Sequence, residues 1–143
     1  MGGQAGNPSA ESFDVSELEI VDTGTTTPNN IVDVDEDFQL RARIEGSGST
    51  WNNLKATDHK VKAQFYAEGM GPGVPDQTFG DPVFEDIAAD DFWVESETVS
   101  VADEGIYRCG VVVTVYDDTE AIPWVGWLGY NEDCVLQVNP HEE

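Results

Sequence analysis

Basic residues are scarce in this chain: six Lys and Arg stand against 29 Asp and Glu among 143 residues, a formal net charge of -23. Phosphate backbones and anionic head groups are held by Lys and Arg clusters that displace counterions. This composition therefore argues against nucleic acid and anionic lipid as partners. Histidine is limited to His59 in a loop-like stretch and His141 near the end, which leaves a zinc site or a Ser-His-Asp triad without its parts. No apolar run has the length of a membrane span, and the first residues lack the basic and then apolar pattern of a secretory signal. Gly69, Gly71 and Gly73 alternate with Met and Pro and bring no lysine, so they do not make a phosphate loop. Neither a fixed-period repeat nor a linker divides the sequence, and no amphipathic helix stands out.

What is present reads as one folded domain. The apolar fraction of 39% and aromatic fraction of 10% are those of a protein with a core. We place a flexible arm over residues 1–12, a single domain over 13–139 and a short tail over 140–143, because the two ends are polar and unpatterned. Several short alternating segments follow one another. Phe38, Leu40, Ala42 and Ile44 share one face of a strand, with Gln39, Arg41, Arg43 and Glu45 on the other. Val61, Ala63, Phe65 and Ala67 repeat the pattern. The segment from Phe13 to Asp22 mixes two registers, as an edge strand with a bulge does, and after the turn residues 23–30 Ile31 to Val34 resumes its ladder. Residues 46–59 read as a loop in which Trp51 and Leu54 plug one end of the core. Thr78 to Phe84 is a short edge strand broken by Gly80 and Pro82, Glu85 to Asp91 makes one helical turn at most, and Phe92 to Val101 is a strand with a register change near Ser96. The pattern as a whole predicts an all-β sandwich or barrel.

The stretch from Val101 to Tyr116 reads as a tight corner feeding one long, well-buried strand, in which Tyr107, Cys109, Val111, Val113 and Val115 point inward. At its start, Asp103, Gly105, Tyr107 and Cys109 stand at alternate positions. That spacing resembles the approach to strand F of immunoglobulin-like domains, and the resemblance implies an antiparallel β-sandwich of about seven to nine strands. It also implies a tyrosine corner, in which the Tyr107 phenol bonds back to the backbone a few residues upstream. Antibody domains proper carry a strand B cysteine and a strand C tryptophan. Here Phe38, Leu40, Ala42 and Ile44 fill the first face, and Phe65 or Tyr66 stands nearest the second position. The resemblance therefore implies a sandwich of this general type, without membership of the antibody-related family.

The two cysteines, Cys109 and Cys134, fall opposite each other when counted from a hairpin centred near Ala121 and Ile122. A cross-strand disulfide and a pair of buried thiols fit that placement equally. Asp33, Asp35 and Asp37 have the spacing with which an EF-hand loop opens, but Phe38 occupies its sixth place and Ile44 its twelfth. These acids, with Asp117 and Asp118 in the last hairpin turn, are the metal candidates; Ca²⁺ is the one cofactor they would suit, and solvated turn residues are the commoner outcome. Trp124, Trp127 and Tyr130, with Tyr116 opposite, form an aromatic group that either caps the core or faces outward as a contact surface.

These features point to a non-catalytic structural or protein-interaction module, a subunit of a larger assembly or surface structure, with protein as partner and self-association included. The alternative is a Ca²⁺-dependent carbohydrate- or ligand-binding module. No residue set supplies nucleophile, base and orienter, so an enzyme is not expected. Compartment stays open, with a slight lean to an extracellular or surface-associated place. Self-repulsion at this charge loosens the compact state at low ionic strength, and salt shortens its range. Melting temperature is accordingly expected to rise with NaCl from dilute buffer to molar salt; a flat or falling series would contradict the charge argument.

Overall fold

The computed structural model of the chain describes residues 12–121 and 123–140, with the backbone alone for residues 12 and 124–127. All of the expected arm except residue 12, and the tail after Pro140, lie outside them. The elements run β1 (Ser12–Asp22), β2 (Ile31–Asp33), β3 (Phe38–Ser47), α1 (Ser49–Ala56), β4 (Lys60–Gly69), β5 (Gln77–Thr78), β6 (Val83–Asp86), β7 (Asp91–Glu95), β8 (Gly105–Tyr116) and β9 (Pro123–Asn139). They form two sheets. One has the order β1-β3-β7; the other has β2-β9-β8-β4-β5, with β6 also paired to β4. Packed face to face, they make an immunoglobulin-like β-sandwich in which every pairing is antiparallel except β2 with β9.

Alternation explains the strands that carry the core. Phe38, Leu40, Ala42 and Ile44 on β3 are fully buried against Val61, Ala63, Phe65 and Ala67 on β4 and Tyr107, Cys109, Val111, Val113 and Val115 on β8. Period-two side chains fix which face of each strand turns inward, so the hydrophobic pattern sets the register. β8 lies between β9 and β4 in the middle of the larger sheet. At its start the Tyr107 hydroxyl donates a 2.8 Å hydrogen bond to the Asp103 carbonyl, which ties the buried ring to the turn four residues upstream.

Elsewhere the chain departs from expectation. The 46–59 segment contains a helix, α1, whose Trp51 and Leu54, three residues apart, are its buried pair. The indole sits directly over Gly46, where a Cβ would come within 2.3 Å of it, stacks with Phe92 at 6.5 Å and meets Phe13 at 5.9 Å with the rings tilted. Its Nε1 donates to Asp90 at 3.1 Å. β2 does not continue the sheet of β1; it crosses to the other sheet and runs parallel to β9. Glu85 and Asp86 belong to strand β6 rather than to a helical turn. β7 stops at Glu95 because the Ser96 hydroxyl, in place of a backbone carbonyl, accepts the Leu40 N–H at 2.9 Å. Beyond it a single bridge from Val99 to Phe38 resumes the pairing. The expected bulge in β1 lies between Val15 and Glu17.

Candidate interaction surface

The outer face of the larger sheet is made by the side chains that β2, β9, β8 and β4 turn away from the core. Ile31, Gln137 and Ile106 lie in one row across β2, β9 and β8, and Val135 stands two residues along β9. Farther up the hairpin, Leu128 and Tyr130 face the same way, opposite Thr114 and Val112. Leu128 is 59% and Tyr130 65% exposed, and Ile31, Ile106 and Val135 are exposed as well. Met70, also exposed, extends the row from the end of β4, where its N–H donates to the Ile106 carbonyl at 2.9 Å. These exposed apolar side chains are set among polar ones of the same face, Arg108 and Gln137 included.

Polar contacts on that face are specific. The Tyr66 ring on β4 lies across β8 at Gly110, the one place where no side chain blocks it: a Cβ there would stand 2.5 Å from the phenol. Its hydroxyl donates to Glu132 of β9 at 2.7 Å. Partial burial, and then this bond to a carboxylate, push the Tyr66 pKa up to about 12. Tyr116 packs edge-on against Phe84 at 5.7 Å and lies beneath the Lys62 ammonium at 5.2 Å.

The aromatic group anticipated from the sequence is therefore dispersed. Tyr116 stands opposite Pro123 and is held by β4 and β6, while Tyr130 stands opposite Val112 and faces solvent. Trp124 and Trp127 lie on β9, but their side chains fall outside the described residues. Leu128, Val135, Ile106 and Ile31 were not singled out from the sequence. A signal existed, since Val135 and Ile106 are out of phase with the inward Leu136 and Tyr107.

The acidic groups fall at opposite ends of the sandwich. Asp33 closes β2 beside Asn139, with Asp35 and Asp37 in the turn that follows. Asp117 and Asp118 lie in the β8–β9 turn, where Asp117 accepts bonds from the Ala121 N–H and the Thr119 hydroxyl. The length of β9 separates the two sets. Among the described residues no group of three or more His, Cys, Asp or Glu is arranged to hold a metal ion. Cys109 and Cys134 are partners in the β8–β9 register, as the hairpin count placed them, and both are buried thiols. The hydrogen bond to Cys134 and then burial push the Cys109 thiol up.

No protein-family model matches the chain, and no curated protein does. Among solved structures it is similar to the CARDB domain of the PF1109 protein in complex with di-metal ions, from Pyrococcus furiosus. That likeness has 11% identity and a TM-score of 0.47, over 92% of this chain and 96% of that one. It is also similar to the ASH/PapD-like domain 7 of human CEP192, at 14% identity and a TM-score of 0.40, over 98% of this chain and 92% of that one. Likeness at this level carries neither residue roles nor an activity to this chain.

Replacing Glu132 with Gln removes the carboxylate that holds the phenol proton, so the Tyr66 pKa is expected to fall from about 12 toward the ordinary value. Tyrosinate absorbance near 295 nm, with Tyr66→Phe identifying the signal, checks this. In the native protein the stability contributed by the neutral phenol is complete below the unfolded pKa of about 10 and is lost as pH rises through about 12. An unchanged titration in Glu132→Gln would show that the pair does not form.

Proposed function

We propose that this domain is a non-catalytic protein-interaction module, a subunit of a larger assembly or an accessory domain displayed on a surface, which docks through the outer face of its larger sheet. The observation that carries the reading is the set of exposed apolar side chains on that face. Ile31, Ile106, Val135, Leu128 and Tyr130 are all exposed on one face, in a chain whose remaining surface is strongly acidic. Apolar side chains gathered on one sheet face are stabilised when a partner removes them from water, at about 25 cal/mol for each Å² buried. Acids around such a set act against non-specific clustering and slow the approach of like-charged copies.

A second copy is the partner this reading admits most simply. Sedimentation velocity over a range of protein and NaCl concentrations is expected to show species heavier than the 15.6 kDa monomer. Their share should grow with salt as repulsion is screened. Ile106→Lys combined with Val135→Lys should return the protein to monomer without lowering its melting temperature, since both side chains are exposed. A monomer under every condition would contradict self-assembly through this face.

A further inference from the structure

We propose that the free edge of β7, on the smaller sheet, is a β-augmentation site for an extended, cation-bearing strand of a partner protein. This rests on the reading of the domain as an interaction module but uses a different surface from the exposed apolar side chains. In the β3–β7 pairing, the Gly46 N–H donates to the Asp90 carbonyl and the Ser96 N–H donates to the Leu40 carbonyl. Asp90, Phe92, Val94 and Ser96 therefore occupy the positions bonded to β3. Antiparallel alternation then turns the N–H and C=O groups of Asp91, Trp93 and Glu95 away from β3. β7 is the last strand of its sheet, and among the described residues no strand or loop pairs with those groups.

Other edges of the sandwich are guarded. β1 has its bulge at Ser16, the Asn131 side chain donates to the Val15 carbonyl at 2.9 Å, and the Asn29 N–H donates to the Ile20 carbonyl at 2.7 Å. β2 is three residues long, and Pro82 stands immediately before β6. β7 has no proline, no lysine and no bulge; the charges it does carry, on Asp91 and Glu95, turn away strands of like charge and not cationic ones.

Charge selects the occupant. The 45 residues from 63 to 107 contain eleven Asp and Glu and not one Lys, Arg or His. Asp91, Trp93 and Glu95 turn their side chains to the outer face; Arg43 pairs with Asp91 and Arg41 covers the Trp93 ring at 3.9 Å, both from the β3 side. Glu95 is exposed and forms no ion pair among the described residues. A second copy pairing antiparallel about Trp93 would set Asp91 against Glu95 of the copy, and like charges directly opposite are destabilising. An incoming strand meets the unpaired Glu95 with one cation and shares the Asp91 carboxylate with Arg43 through a second, while an apolar residue lies over Trp93 and apolar residues continue the layer of Phe92 and Val94.

The test uses the full chain labelled with ¹⁵N and the synthetic peptide Thr-Lys-Val-Ile-Val-Lys-Thr, with Glu in place of both Lys as its control. Bound peptide should slow exchange of the Asp91, Trp93 and Glu95 amides, by about tenfold at ten times its Kd, and leave Phe92 and Val94 nearly unchanged. The Glu peptide should give no protection, and Glu95→Lys should weaken the Lys peptide without altering the melting temperature. Protection of the alternate amides, equal binding of both peptides, or no shift on β7 at millimolar peptide would overturn the proposal. Protection of β7 amides that grows with protein concentration alone would assign the edge to a second copy and overturn the choice of occupant. The outcome is independent of the Ile106 and Val135 sedimentation result, so the two readings fail separately.

Discussion

The register of β8 between β4 and β9 is the constraint on which the rest of the structure depends. Its inward residues, Tyr107, Cys109, Val111, Val113 and Val115, are all fully buried. A slip of one residue would send that whole set into water and bring Arg108, Val112 and Thr114 inside. The phenol of Tyr107, bonded to the Asp103 carbonyl, fixes where the strand begins. Its partners follow from that start: Tyr66 of β4 falls opposite Gly110, Cys134 opposite Cys109, and the Ile106 row opposite Gln137.

Charge is arranged around this core with little to spare. Arg41 pairs with Glu19, Arg43 with Glu17 and Asp91, Lys55 with Asp90, and Lys60 with Asp86 and Glu120. The Lys55 ammonium, and to a smaller degree the Trp51 N–H, hold Asp90 below the usual carboxylate range, and Arg43 does the same for Asp91. These pairs join strands and tie α1 to the chain before β7. Among the described residues most of the other acids face solvent, which gives the surface a strong negative field.

The core strands were legible because each alternates over eight or more residues with one buried face, and β3, β4 and β8 lie where that pattern puts them. Helix α1 was hidden because eight residues with a single buried pair, set among Ser, Thr and Asn, carry no periodicity beyond one i, i+3 step. The crossing of β2 was hidden for another reason: three residues show that a strand exists but not which sheet it joins. Surface features were least legible. The Tyr66–Glu132 bond joins residues 66 positions apart, and the open edge of β7 shows only in the strand order, where among the described residues no strand pairs beyond it. Outward residues such as Val135 are readable from their phase against buried neighbours, a weaker signal than the size of Trp124 and Trp127.

Native-state hydrogen exchange of the β8 amides measures the placement of that strand directly. With β8 paired on both sides and buried on its inner face, the amides from Tyr107 to Val115 should be the slowest in the protein and exchange only through global unfolding. If they exchanged faster than those of the edge strands β1 and β7, β8 would not be the spine of the sandwich, and the positions assigned to the exposed apolar side chains and to Tyr66 would fall with it.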